Sequence, residues 1–198
     1  IERLVVSEMC IRDRIIELKS ASYGLLMDYI DGSCLENKHV NAQTPASWSV
    51  VIVTGDNELG KGTGTILTEF FGRVQTNPDA DDFIGAEVGS NNTGELTAMA
   101  EALRWLLKHN EEREVLVRTD STYAGNIASG HWRARANLKL ASHVQALWNE
   151  VSSICQLKWK HVRAHKGHRW NERADHLAFR VLNEQEPIPF SFWKPGQR

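Results

Sequence analysis

Cysteine is scarce in this sequence, and the scarcity excludes two kinds of cross-linked small domain. The 198 residues hold three cysteines, an odd number at wide spacing: Cys10, Cys34 and Cys155. This pattern fits neither a disulfide framework nor a cysteine-based zinc site. A chain of this length buries enough apolar surface to fold without such a cross-link. We therefore expect one globular domain with short appendages.

Long hydrophobic runs are also missing. The longest aliphatic run is residues 50–53, whereas a membrane-spanning helix needs about 20 consecutive apolar residues. No apolar signal segment opens the sequence, which argues against secretion. We therefore expect no membrane partner and an intracellular location, which would be cytoplasmic or, in a eukaryote, nuclear.

Net charge is close to zero, but its distribution is uneven. The whole sequence carries a formal charge of −2, which by itself argues against nucleic-acid binding. Segment 131–169 carries +7, because it has eight lysines and arginines and only one acid, Glu150. Three tryptophans are interleaved with these charges: Trp132, Trp148 and Trp159. Such a strip either follows a phosphate backbone or is a solvated basic face, and both interpretations stay open.

The hydrophobic pattern predicts an alternation of strands and helices. Alternating or β-branched runs predict strands at residues 25–30, 48–54, 64–74, 115–118 and 157–162, with a further short strand at 83–88. Helical periodicity predicts helices at residues 92–107, 123–128, 138–154 and 171–183. This order implies an α/β fold, a central mixed five-stranded sheet with its first three strands antiparallel and helices on both faces.

Four acidic residues stand where predicted elements meet. Asp31 follows the first strand, Glu95 lies in the first turn of a helix, and Asp120 follows the fourth strand, while Asp175 is one turn into the last helix. Strand ends in α/β sheets border the crevice that holds functional groups. Each acid also has a local explanation. Asp31 suits an Asp-Gly turn, and Glu95 has a capping-box spacing from Asn92. Asp120 can cap the following helix, and Asp175 can be a solvated helix residue.

The residues flanking these acids are more specific than the acids alone. They form blocks at residues 29–34 (YIDGSC), 91–96 (NNTGEL), 118–123 (RTDSTY), 165–168 (HKGH) and 171–175 (NERAD). In order and spacing these blocks resemble the type 1 ribonuclease H family, over about residues 24–184. The resemblance implies a ribonuclease H-like fold, with a catalytic domain at 23–184 and a C-terminal tail at 185–198.

The resemblance also implies a function. It indicates an endoribonuclease that hydrolyses the RNA strand of RNA–DNA hybrids and leaves 5′-phosphate and 3′-hydroxyl ends. Its metal ligands would be the four carboxylates Asp31, Glu95, Asp120 and Asp175, holding two Mg²⁺ ions for which Mn²⁺ can substitute. Hard cations prefer such oxygen ligands, and two ions suit phosphodiester hydrolysis. His165 would assist proton transfer or product release, unless it is simply another basic loop residue. We expect a monomer without a small-molecule cofactor.

Eight further residues are implied as substrate contacts. Five would lie along the minor groove of the hybrid, where the 2′-OH distinguishes RNA, or at a DNA phosphate: Cys34, Ser90, Asn91, Asn92 and Thr122. Three belong to residues 131–139, which resemble a shortened form of a basic protrusion found in bacterial members: Trp132, Arg133 and Arg135. Asn91 and Asn92 can equally serve as caps of the helix. Loop 35–47 departs from the family's Gly-rich composition, which leaves Glu36 and Asn37 unassigned.

Some expectations concern organisation rather than chemistry. We expect residues 1–22 to be a dispensable, non-native leader, because residues 9–13 match a translation of a sequencing-library adapter. An ordinary N-terminal helix at residues 11–18 is the alternative. Two other functions stay open, a ribonuclease H domain of a retroelement polyprotein and a hybrid-binding module without catalytic activity.

Overall fold

A computed structural model describes residues 25–109 and 114–198. The predicted leader 1–22, with its possible helix at 11–18, lies outside the described residues. The elements follow in the order β1 (Leu26–Cys34), β2 (Ala46–Thr54), β3 (Thr65–Arg73), α1 (Asn91–His109), β4 (Val115–Thr119), α2 (Thr122–Ala128), α3 (Leu138–Ile154), β5 (Leu157–His161) and α4 (Arg169–Leu182). No helix in this described part of the chain is long and apolar enough to cross a membrane.

The five strands form one mixed sheet in the order β3-β2-β1-β4-β5. β1 pairs antiparallel with β2, and β2 pairs antiparallel with β3. β1 pairs parallel with β4, and β4 pairs parallel with β5. These findings confirm the predicted five-stranded sheet with its first three strands antiparallel. Since β1 and β4 are parallel neighbours, their carboxyl ends lie at the same edge of the sheet, which brings Asp31 and Asp120 together.

The central strand β1 is buried on both faces. Successive side chains of a strand point to opposite faces. Leu26 and Ile30 join a large apolar cluster under α1 and α3, whereas Met27 and Tyr29 join a smaller cluster under α4. Helices therefore cover both faces of the sheet, as predicted.

The Asp-Gly turn suggested for Asp31 is wrong, because β1 continues past the predicted strand end at residue 30. Asp31 pairs with Ser49 of β2, and β1 ends only at Cys34. Gly32 instead allows close packing between a helix and β1. A Cβ at Gly32 would lie 2.2 Å from the backbone nitrogen of Glu95. The missing side chain lets α1 approach β1 closely, and this approach places Glu95 beside Asp31.

The short strand predicted at residues 83–88 is also wrong. These residues form bends and irregular backbone. Gly85 adopts a φ of 108°, which interrupts an extended chain, and the side chain of Asn137 accepts a hydrogen bond from the backbone N–H of Glu87 at 2.9 Å. Ala86 is fully buried in the large apolar cluster. The apolar residues that suggested a strand therefore fill the core without joining the sheet.

Residues 185–198 pack against α4. The Phe190 ring stacks on Trp170 with centroids 5.9 Å apart and on Trp193 at 6.2 Å. The backbone carbonyl of Ile188 accepts a hydrogen bond from Arg173 at 2.8 Å. This segment therefore follows α4 back along its length, and it ends near the edge of the sheet that holds Asp31. The domain boundaries drawn from the sequence stay a prediction.

Candidate active site

Three of the four predicted acids meet at one edge of the sheet. Asp31, Glu95 and Asp120 each offer a carboxylate oxygen, and these oxygens lie within 4.8 Å of one another. Asp31 is 6% exposed and Glu95 is 4% exposed, so water screens neither charge. Such a cluster of buried oxygen ligands has the composition that a hard divalent cation prefers.

Backbone and hydroxyl groups fix the direction of these carboxylates. The backbone N–H of Gly32 donates to Oδ1 of Asp31 at 2.8 Å. The hydroxyl of Thr119, the last residue of β4, donates to Oε2 of Glu95 at 3.3 Å. Ser121 caps α2 by accepting a hydrogen bond from the backbone N–H of Ala124 at 3.1 Å. The alternative role of Asp120 as the cap of this helix is therefore wrong.

Glu95 does not take part in capping α1. Ser90 precedes the helix, and its backbone N–H donates to the Thr93 hydroxyl at 2.7 Å. The backbone N–H of Thr93 donates in turn to the Ser90 hydroxyl at 3.2 Å. This reciprocal pair satisfies the start of the helix. The capping-box explanation of Glu95 with Asn92 is therefore wrong, and the Glu95 carboxylate is available to the cluster.

The three carboxyl groups interact strongly. Burial raises the pKa of Asp31 well above its ordinary value, and the charges of Glu95 and Asp120 raise it further. Burial and then the Asp120 charge raise the pKa of Glu95 to about 8. Burial also raises the pKa of Asp120, although a hydrogen bond from Asn171 opposes the shift. Mutual repulsion of this kind is relieved either by protons or by a bound cation, so the residues fit a divalent metal.

The fourth predicted acid, Asp175, is bound by another residue. Arg198 donates from Nε to Oδ2 of Asp175 at 2.8 Å and from Nη2 to Oδ1 at 2.6 Å. The side chain of Asp175 is 16% exposed, so it is not a freely solvated helix residue. Its charge raises the pKa of both Asp31 and Asp120, which places it beside the cluster.

His165 lies on the loop that joins β5 to α4. It is exposed and adopts a φ of 49°. The end of this loop is held by Lys61, whose backbone carbonyl accepts from the Arg169 N–H at 2.7 Å and whose ammonium donates to the Lys166 carbonyl at 3.1 Å. Nε2 of His165 lies 3.4 Å from Nη2 of Arg198. The loop is thus anchored next to the carboxylates while the imidazole stays open to solvent.

Four of the first five predicted substrate residues lie at the end of β1 or the start of α1, and Thr122 begins α2. Asn37 links two of its members, because its side-chain oxygen accepts from the Cys34 thiol at 3.6 Å and from the Asn91 backbone N–H at 3.3 Å. Ser90 is largely buried, and its hydroxyl belongs to the helix cap. Thr122 is exposed at the first position of α2. Asn37, left unassigned from the sequence, therefore belongs to this surface.

The second group lines a separate depression. This depression is a cavity of about 770 Å³ lined by seven residues: Asn92, Tyr123, His131, Trp132, Arg133, Arg135 and Ala136. Trp132 is 48% exposed, which leaves its ring available to a ligand. Asn92 connects this depression to the start of α1.

The basic strip 131–169 is less continuous than its sequence suggests. Trp148 is buried in the core, and Trp159 packs against Gly125. Lys158 forms an ion pair with Glu114 at 3.1 Å, and Lys160 forms one with Glu58. An exposed tryptophan therefore accompanies exposed arginines only at residues 131–135, while Arg163 and Lys166 are exposed at the other end of the strip.

Two residues near the acids were missed from the sequence. Asn171 is buried and donates to Asp120. Its spacing of four residues from Asp175 on one helix was a signal that the two face the same side. Arg198 had no such signal, because only the folding of residues 185–198 along α4 brings it to Asp175.

Comparisons with known proteins agree with this geometry. The family model described as RNase H matches residues 25–183. A ribonuclease H of Cupriavidus pinatubonensis is 34% identical over 162 residues, covering 77% of this chain and 91% of that protein. The crystal structure of RNase H1 from Halobacterium salinarum shares the fold with a TM-score of 0.57 at 22% identity, covering 81% of this chain and 99% of that one. LC11-RNase H1 in complex with an RNA/DNA hybrid gives a TM-score of 0.56 at 22% identity, with coverages of 80% and 97%. The chain belongs to the ribonuclease H family of nucleases.

Proposed function

We propose that this chain is an endonuclease that hydrolyses the RNA strand of RNA–DNA hybrids and leaves 5′-phosphate and 3′-hydroxyl ends. The observation that carries the proposal is the cluster of Asp31, Glu95 and Asp120, whose carboxylate oxygens lie within 4.8 Å of one another. In a chain of the ribonuclease H family, this cluster stands where the scissile phosphate would be bound.

The carboxylates would hold two divalent cations, with Mg²⁺ as the expected ion and Mn²⁺ as a substitute. Asp31, Glu95 and Asp120 are the first ligands, and Asp175 would join them after its release from Arg198. When bound, the cations supply an activated water and stabilise the leaving oxygen. Thr119 and Gly32 keep the carboxylates directed at this position through the hydrogen bonds described above.

His165 would move a proton at the edge of the site. Its imidazole is exposed and adjoins the carboxylates through Arg198. The contacts of Lys61 with Lys166 and Arg169 limit the movement of its loop. This placement supports a role in proton transfer or in the departure of the product.

Two groups of residues would contact the substrate. Cys34 ends β1 three residues after Asp31, Asn91 precedes Glu95 by one helical turn, and Thr122 follows Asp120 by two residues. These positions support a role in recognising the 2′-OH of the RNA strand. Ser90 and Asn92 would contribute at the start of α1. A phosphate-binding role of Trp132, Arg133 and Arg135 is supported by their shared exposed depression. Phosphate contacts position a duplex without reading its sequence, so cleavage should be largely independent of sequence.

The test is a cleavage assay with matched duplexes. The same sequence is prepared as an RNA–DNA hybrid, an RNA duplex and a DNA duplex, each labelled on one strand, and incubated with the protein and Mg²⁺. We expect cleavage of the RNA strand of the hybrid alone, with product ends that accept ligation at the 5′-phosphate. Binding of the hybrid without cleavage would instead support a catalytically inactive hybrid-binding module.

A further inference from the structure

Residues 185–198 are clamped to α4 by one buried histidine. Nε2 of His176 accepts a hydrogen bond from the backbone N–H of Ile188 at 3.0 Å. Nδ1 of the same ring lies 3.0 Å from the backbone carbonyl of Gln197, which can only accept, so Nδ1 carries the proton. His176 is fully buried. One ring therefore fixes the backbone of this segment at two points and delivers the next residue, Arg198, to a defined place.

That place is the edge of the carboxylate cluster. The guanidinium of Arg198 makes two parallel hydrogen bonds to Asp175, the fork geometry that gives arginine–carboxylate pairs their strength. It also lies 5.4 Å from the centre of the Phe179 ring and touches His165 at 3.4 Å. Both oxygens of Asp175 are thus engaged by a cation that belongs to the chain itself.

We propose that Arg198 and a divalent cation compete for Asp175, so that Arg198 sets the metal affinity of the site. The inference rests on the proposed function, in which Asp175 is a metal ligand. An oxygen that accepts from the guanidinium cannot bind a metal with the same lone pair. Two cations at one carboxylate also repel each other. Metal binding at Asp175 therefore favours departure of the Arg198 side chain.

The departure of Arg198 does not require residues 185–198 to unfold. Its side chain is 50% exposed, whereas Gln197 is held by His176 and Trp193 through its backbone carbonyl. An ion pair of this exposure shifts an equilibrium by a factor of about one and a half to five. Removal of the pair should therefore tighten metal binding by about two- to sixfold, because every Asp175 side chain is then free to bind the metal.

The test is calorimetric titration of the full chain with Mn²⁺ or Mg²⁺. We expect Arg198→Ala to lower the Kd for the metal by about two- to sixfold relative to the unaltered protein. The matched control is Arg73→Ala, which removes an exposed arginine pair with Glu184, just beyond the C-terminal end of α4, and should leave the Kd unchanged. In the background of Asp175→Asn, Arg198→Ala should have no effect, because the group for which the two cations compete is gone.

Three outcomes would overturn the inference, and they are distinguishable. Equal metal affinity in the unaltered protein and in Arg198→Ala would refute the competition while leaving the proposed metal site intact. Absence of metal binding in both proteins would refute the proposed function itself. A tightening that persists in the Asp175→Asn background would show that Arg198 acts by general charge and not through Asp175.

Discussion

Asp28 gives a prediction that depends only on the fold. It lies in β1 between Ile52 of β2 and Val117 of β4, and both neighbours belong to the large apolar cluster. Asp28 is fully buried, and neither of its carboxylate oxygens has a hydrogen-bond partner among residues 25–109 and 114–198. Burial of a polar group without a partner costs about 1–3 kcal/mol in protein mutational data. We therefore expect Asp28→Val, which fits a strand and replaces the carboxylate with apolar methyl groups, to raise stability by about this amount.

The stability gained by Asp28→Val should increase as the pH rises. Burial raises the pKa of Asp28 well above its ordinary value. Above about pH 4 the unfolded chain releases this proton while the folded protein retains it, so ionisation favours unfolding as the pH rises. The advantage of Asp28→Val should therefore be larger at pH 7 than at pH 4. Asp28→Asn is the matched control, because it removes the ionisation and keeps an unpaired polar group.

Thermal unfolding followed by circular dichroism measures both effects. At this chain length about 1–3 kcal/mol corresponds to a Tm increase of about 3–10 °C. At pH 7, Asp28→Val should melt above Asp28→Asn, and Asp28→Asn should melt above the unaltered protein. A Tm of Asp28→Val equal to or below that of the unaltered protein at pH 7 would refute the reasoning from burial.

Four further predictions concern the site. Asp120→Asn should abolish hybrid cleavage in a gel assay and retain hybrid binding, because it removes a ligand charge without changing volume. His165→Ala should lower kcat by about 10²–10⁴-fold at most, since proton transfer contributes that range. Arg133→Ala combined with Arg135→Ala should weaken hybrid binding for every sequence and reduce the salt slope by about one unit for each lost phosphate contact. Gly32→Ala should cost about 1–3 kcal/mol in denaturant unfolding, because its Cβ would overlap the backbone of Glu95.

Each of these has an outcome that contradicts it. Turnover above a tenth of normal in Asp120→Asn would remove Asp120 from the metal ligands. An unchanged kcat in His165→Ala would return His165 to an ordinary basic loop residue. An unchanged salt slope in the double arginine variant would place residues 131–135 away from the substrate. Unaltered stability in Gly32→Ala would show that α1 can retreat from β1 freely.

The mixed five-stranded sheet and the acid cluster could be predicted because both rest on local patterns. Alternating apolar residues define the strands, and the flanks of Asp31, Glu95 and Asp120 carry family-specific residue types. The suggested Asp-Gly turn at Asp31 was wrong, because an Asp-Gly sequence fits a turn as well as a close approach of a helix to a strand. Only the position of α1 over Gly32 distinguishes the two.

Long-range contacts explain what the sequence could not predict. The ion pair of Arg198 with Asp175 joins residues 23 positions apart through the path of residues 185–198 along α4. The apolar residues at 83–88 have strand composition, but their partners belong to the core and not to a neighbouring strand. The acidic partners of Lys158 and Lys160 come from distant segments, so the sequence could not show which charges of the basic strip are paired.

The most direct test of the account is the initial rate of RNA-strand cleavage in a hybrid as a function of Mg²⁺, measured for the unaltered protein and for Glu95→Gln. Glu95 is the most informative acid, because it joins β1 to β4 through Asp31 and Thr119. We expect no cleavage in chelator, a rate that rises and saturates with Mg²⁺ in the unaltered protein, and loss of that rate in Glu95→Gln with hybrid binding retained. Cleavage in chelator, or a Mg²⁺-dependent rate in Glu95→Gln equal to that of the unaltered protein, would contradict the assignment of the carboxylate cluster as the hydrolytic site.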